Sequence, residues 1–171
     1  AANAAIDQAL TQGIPAPALS SLCAAKVEPV ELKPLPRAGD PDVPSKFVGN
    51  APGAIEPGNA AGFTASPNLD GVTLTIATQL AADMRLGEGE ATDVLIVGLS
   101  ATDYVGHSYG TEGPEMCNQL MAADARLGAF FDALDQRGVS YAVVLTADHG
   151  GHDIPERNKT RALVAAERAD A

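Results

Sequence analysis

The sequence predicts an α/β fold, helices laid over an open parallel sheet, from three features. Two runs, 93–99 (DVLIVGL) and 141–145 (YAVVL), are apolar at consecutive positions, the pattern of strands buried on both faces. Each follows a stretch of helical periodicity. Each also gives way at once to a polar, glycine-containing segment, SATDYVGHSYG or TADHGGH, and these two segments hold all three histidines of the chain.

Taken in order, residues 2 to 12 read as a short helix stopped by Gly13. Nine of the twelve prolines then fall within the first sixty residues, so that region is mostly loop. A weak strand at 26–32 carries Pro29, which cannot donate to a ladder and confines the strand to an edge. From residue 66 the pattern tightens. Ser66 is an N-cap with Pro67 at the first helical position, and Leu69, Val72, Ile76, Leu80 and Met84 recur at helical spacing until LGEG ends the helix. The first apolar run follows, and after it SATDYVGHSYG reads as a loop. Pro114 opens a second helix with Met116, Leu120, Ala123, Leu127, Phe130, Phe131 and Leu134 along one stripe, Cys117 beside it as a buried thiol, and Gly138 at its end. The second apolar run comes next. Strand, helix, strand with short connections is a right-handed crossover, so the two runs are expected parallel, with their carboxyl ends at one edge of the sheet. Open α/β sheets build their sites there.

Composition narrows the function. The 171 residues carry a formal charge of −11 with no cluster of Lys and Arg, which argues against a nucleic-acid-binding surface. Nothing in the sequence reads as a membrane span, and the opening AANAAIDQALTQG lacks the basic start and apolar core of a signal peptide. An acidic chain binds an anionic substrate only if positive charge is supplied locally, as a metal ion would do. Cys23 and Cys117 have no metal-binding spacing and leave the redox compartment open.

The metal-ligating candidates lie at the two strand ends. Asp103 and His107 stand four apart after the first run; Asp148 and His149 are adjacent after the second. One carboxylate and one imidazole from each segment is mixed O/N ligation suited to zinc, and also to manganese or iron. Gly150 and Gly151 permit the sharp turn that lets Asp148 and His149 converge. His152 is a candidate for a supporting contact behind the ligands. Tyr104, Tyr109, Glu115 and Glu156 are close enough in sequence to orient ligands but read better as solvated or capping residues.

The segments SATDYVGHSYG, EMCNQLMAADARLG, LDQRGVSYAVVLTADHGGHDIPER and ASPNLDGVTLTIATQL, over residues 64 to 157, resemble the core of the alkaline phosphatase superfamily. The likeness is to the branch of type I phosphodiesterase/nucleotide pyrophosphatases and related monoesterase-type alkaline phosphatases. It implies a doubly wound, mostly parallel sheet with flanking helices, incomplete in this chain, and two zinc ions about 4 Å apart. By that resemblance Asp103 and His107 match ligands of one ion, and Asp148 and His149 match ligands of the other. The nucleophilic Ser or Thr, a further aspartate and a last histidine have no match here. The chain then reads as a Pro/Gly-rich segment (1–63), an α/β metal-binding core (64–157) and a tail (158–171) of a zinc-dependent hydrolase of small phosphate esters, monoesters ahead of diesters. The resemblance also implies export to the periplasm or secretion. A non-catalytic metal-binding module is the alternative from another class. Sulfatases and cofactor-independent phosphoglycerate mutases share the scaffold but fit this sequence less well.

Overall fold

The computed structural model describes residues 2–32 and 45–161. Residues 33–44 and 162–171, which include part of the proline-rich stretch and most of the expected tail, lie outside the described residues.

The architecture is helical with a small two-stranded sheet. Helix α1 (Ala2–Gln12) ends at Gly13, whose φ of +74° is the left-handed conformation that favours glycine. A short helix α2 (Ser21–Ala24) starts where the Ser20 hydroxyl accepts from the Cys23 amide. Strands β1 (Val30–Leu32) and β2 (Lys46–Val48) pair antiparallel, with Val30 opposite Val48. The proline-bearing strand of the sequence reading is therefore real, and shortened to the residues after Pro29. Then come α3 (Ala60–Thr64), α4 (Pro67–Asp83), α5 (Ala101–Tyr109), α6 (Pro114–Gln136) and α7 (Pro155–Thr160).

Helix α4 starts as its sequence dictates, with the Ser66 hydroxyl accepting from the Asn68 amide and Pro67 in the first turn. Its rotation is not the one its large aliphatics predict. Asp70, Leu74, Ala77 and Ala81 are buried, while Ile76, Leu80 and Met84 are exposed. Two alanines let α6 approach closely, and the buried Asp70 carboxylate needs partners that only this rotation provides. Helix α6 departs similarly: Glu115, Met116, Cys117, Gln119 and Phe130 are buried and Leu120 is exposed. Leu74, Ala77 and Phe130 form one core cluster, with Val97, Leu99, Leu127, Phe131 and Leu134 packed against it. Val30, Val48 and Ile154 form a second.

Two expectations differ from what the described residues show. The runs 93–99 and 141–145 form no strand: among the described residues the only sheet is β1–β2, and neither run joins a ladder. The observed elements are those of an incomplete α/β domain, and the doubly wound parallel sheet is not seen. The reason is visible in the packing. A strand exists only with a hydrogen-bonded neighbour, and here the two runs line a shared open groove of about 670 Å³ floored by α4 and α6. Run 93–99 nevertheless keeps a strand's alternation, with Leu95, Val97 and Leu99 toward the groove and Val94 and Ile96 outward, 79% and 89% exposed.

The other correction concerns the cysteines. Cys117 is not a thiol but is bonded to Cys23, a disulfide that ties α2 to the first turn of α6 across 94 residues of sequence. Closing so long a loop restricts the unfolded chain, which in the chain-entropy account is worth roughly 4–5 kcal/mol. Reduction, or Cys23→Ser with Cys117→Ser, is accordingly expected to lower the urea midpoint by the equivalent of about 2–5 kcal/mol, read by circular dichroism with and without reductant. An unchanged midpoint would mean the bridge adds nothing.

Candidate metal centre

The segment SATDYVGHSYG is a helix, α5, where the sequence reads as a loop, because its cap comes from elsewhere. Ser100 precedes α5 but its side chain makes no capping bond. Asp70 takes that role from α4: its Oδ1 accepts the Ala101 amide at 3.0 Å, and its Oδ2 accepts Gln119 Nε2 at 2.8 Å. Gln119 Nε2 also reaches Thr102 Oγ1 at 3.3 Å. Both Asp70 and Gln119 are fully buried. A carboxylate at the start of a helix satisfies an orphan amide and meets the positive end of the dipole. The far end of α5 stops at Gly110, φ +85°.

With α5 fixed, Asp103 and His107 lie one turn apart on one helix face, Asp103 Oδ1 standing 3.3 Å from His107 Nε2. Asp148 and His149 arrive from the segment after the second apolar run. His149 Nε2 lies 3.7 Å from Asp103 Oδ1 and 3.6 Å from Asp148 Oδ2. All four residues singled out in the sequence are thus brought to one place. The two longer separations exceed hydrogen-bond reach.

The His149 ring is oriented by its neighbour. Its Nδ1 lies 2.9 Å from the Gly150 carbonyl oxygen. A carbonyl only accepts, so Nδ1–H donates, and in the neutral ring the lone pair is left on Nε2, facing both carboxylates. The Asp148 Oδ1 in turn accepts the His149 amide at 3.0 Å, closing the turn at the pair. The Gly150 carbonyl, with help from Asp148 and then Asp103, holds the His149 pKa above its ordinary value.

The donor set suits a metal. Ligands about 2.0–2.2 Å from a tetrahedral zinc stand roughly 3.3–3.6 Å from one another, close to the 3.3 and 3.6 Å within the pairs Asp103/His107 and Asp148/His149. Among the described residues no group of three or more His, Cys, Asp or Glu side chains is arranged to hold an ion. Each pair therefore offers two donors and needs completion. The side chains are open to solvent, Asp148 at 90% and His107 at 77%. His152 is exposed on the same segment. Tyr104 is exposed, and two others serve the fold: the half-buried Tyr109 ring packs under Lys46 Nζ, 4.6 Å from its centroid, and the buried Glu115 accepts the Gly49 amide at 2.7 Å; Glu156 lies in the first turn of α7. Burial pushes the pKa values of both Tyr109 and Glu115 up. Sequence reasoning missed Asp70 and Gln119. The available signal was a polar residue in register with the small residues Ala77 and Ala81 of α4.

A sequence profile of the type I phosphodiesterase / nucleotide pyrophosphatase family matches residues 34–169. The chain belongs to that family. The resemblance read from the histidine segments is therefore borne out, and the family match takes in both of them. Among curated relatives the chain is 45% identical over 168 residues to alkaline phosphatase PhoK of Sphingomonas sp., covering 98% of this chain and 28% of that protein. It is 47% identical over 126 residues to alkaline phosphatase PhoD of Zymomonas mobilis, covering 74% and 22%, and 37% identical over 106 residues to alkaline phosphatase PhoV of Synechococcus elongatus, covering 59% and 19%. The chain thus spans about a quarter of the length of the first two.

Asp70→Ala leaves the Ala101 amide without its cap and Gln119 without its acceptor inside the protein. The expected cost is about 2–4 kcal/mol, with faster hydrogen exchange concentrated at the amides of α5. Exchange that rises equally in α6 and α5 would mean that Asp70 does not act as the cap.

Proposed function

We propose that this chain is the metal-binding part of a zinc-dependent phosphoester hydrolase that acts on small phosphate monoesters. The observation that carries the reading is the convergence of Asp103, His107, Asp148 and His149, with His149 Nε2 within 3.7 Å of both carboxylates, in a chain of this family. Asp103 with His107 would hold one zinc ion, and Asp148 with His149 another. Two bound zinc ions would supply the positive charge that activates a nucleophile and stabilises the oxygens of an in-line displacement at phosphorus. The chain itself, at −11, would otherwise repel a phosphate. Asp70 and Gln119 hold α5 so that Asp103 and His107 need no reordering when substrate arrives, and the Gly150 carbonyl fixes the tautomer of His149. The nucleophilic Ser or Thr is assigned to a part of the protein other than these residues.

Similarity to three alkaline phosphatases favours monoesters. Phosphodiester or nucleotide pyrophosphate cleavage is the second reading, favoured by the family description. In the whole protein the runs 93–99 and 141–145 are proposed to be strands of the doubly wound sheet. Export to an oxidising compartment such as the periplasm is supported by the Cys23–Cys117 bridge, since disulfides persist there. No described helix is long and apolar enough to cross a membrane.

Hydrolysis of an aryl phosphate monoester against the matching diester by the whole protein tests the reading, with and without chelator. The monoester is expected to be the faster substrate and chelator to abolish both rates; undiminished turnover in excess chelator would sink the metal assignment. Asp148→Ala and His107→Ala are each expected to lower turnover by orders of magnitude, since a site that loses a ligand loses occupancy and geometry together.

The pH dependence has a definite sign. Because the His149 pKa is raised, its proton stabilises the metal-free fold below the ordinary histidine pKa, and that contribution is lost as pH rises through the raised value. Zinc needs the neutral ring, so zinc affinity should climb over the same rise in pH, by about tenfold per unit below the raised pKa. Metal titration across pH 5–8 checks it, and a flat profile would exclude His149 as a ligand.

A further inference from the structure

Asp153 and Arg157 form a buried ion pair outside the four candidate ligands, with Asp153 Oδ1 2.5 Å from Arg157 Nη1. Their side chains are 2% and 0% exposed. The same Asp153 oxygen accepts the Thr111 amide at 2.8 Å and the Glu112 amide at 3.3 Å. Arg157 Nη2 points at the carbonyl of Tyr109, the last residue of α5, at 3.4 Å. Gly110, between Tyr109 and Thr111, has no room for a Cβ: one would fall against Asp153 Oδ1 and Arg157 Nη1. The turn that leaves α5 is therefore folded around the Asp153 carboxylate.

Position in the chain gives this contact its consequence. Asp153 lies four residues after His149, and Thr111 lies four residues after His107. Among the described residues, the hydrogen bonds that join segment 146–153 to α5 and the turn after it all end on Asp153. No backbone–backbone hydrogen bond ties residues 141–152 to another element, again among the described residues. Apart from Asp153, the stretch carrying the Asp148/His149 pair and two glycines meets α5 through the 3.7 Å approach of His149 to Asp103.

We infer that Asp153, held by Arg157, is a positioning residue that clamps the segment bearing Asp148 and His149 to the end of α5 and so sets the spacing between the two ligand pairs. It touches neither the ligands nor the substrate position. The part that concerns zinc rests on the function proposed above; the clamp itself does not.

Two variants break the contact by different routes. Asp153→Ala removes the acceptor, and Gly110→Ala drives a methyl into it, also straining the φ of +85° there, while leaving both buried charges in the protein. In the metal-free whole protein each should speed hydrogen exchange of amides 147–152 by about tenfold or more and leave α4 unchanged. In a chromophoric-chelator competition each should weaken zinc binding about 10- to 100-fold, the usual effect of losing a group that orients ligands. Asp153→Asn combined with Arg157→Gln keeps an oxygen for the Thr111 and Glu112 amides without the charges, and should restore both readouts to within a few-fold of wild type. If Asp153→Ala does not fold, Gly110→Ala decides. The clamp is overturned by unchanged exchange and zinc affinity in the folded variants, by exchange that rises uniformly through the protein, or by no recovery in the double variant. A localised rise in exchange in the variants, together with a wild-type protein that binds no zinc, would instead support the clamp and overturn the metal reading.

Discussion

A single buried carboxylate, that of Asp70, does the work that a local cap would do in most helices. A nine-residue helix gains little from its own backbone, because nucleation costs as much as several later bonds return. Asp70 supplies an acceptor at the first amide of α5 and fastens it, through Gln119, to the second turn of the longest described helix. That demand also fixes how α4 is turned. A fully buried carboxylate without partners would be far costlier than three exposed aliphatic side chains. Hence Ile76, Leu80 and Met84 face outward while two alanines face in.

The same economy runs through the rest of the described residues. The apolar clusters are small and separate, one on α4 and α6 and one beneath the β1–β2 pair. What joins them is polar or covalent: the Cys23–Cys117 bridge, the Glu115 carboxylate on the Gly49 amide, and the Asp153–Arg157 pair. Buried charge pairs contribute little net stability but are costly to break singly. They favour one arrangement strongly over its neighbours, which is what a site made of two pairs of ligands requires.

Local chemistry was legible in the sequence. Ser66 with Pro67, Gly13 as a stop, Pro114 as a start and the four ligand candidates all follow from residue type and spacing. What escaped depended on partners distant in the chain. Helix α5 was hidden because its cap lies 31 residues away. The rotation of α4 was hidden because hydrophobic periodicity weighs Ile76 and Leu80 and cannot see Asp70 find its partners. The consecutive apolar residues of 93–99 suit a strand covered on both faces, yet no ladder forms there among the described residues, since a sequence shows a strand's preferences but not whether a neighbour is at hand. Two isolated cysteines 94 residues apart likewise gave no sign of pairing.

The open groove between the two apolar runs bears on how these residues behave when handled alone. Val144 and Leu145 are 89% and 88% exposed, and Ile96, on the outward side of the other run, is 89% exposed. Short, uncharged, β-prone stretches with free backbone groups are templates for the matching stretch of another molecule. An open groove of this kind favours self-association through 94–97 and 141–145, at the expense of solubility.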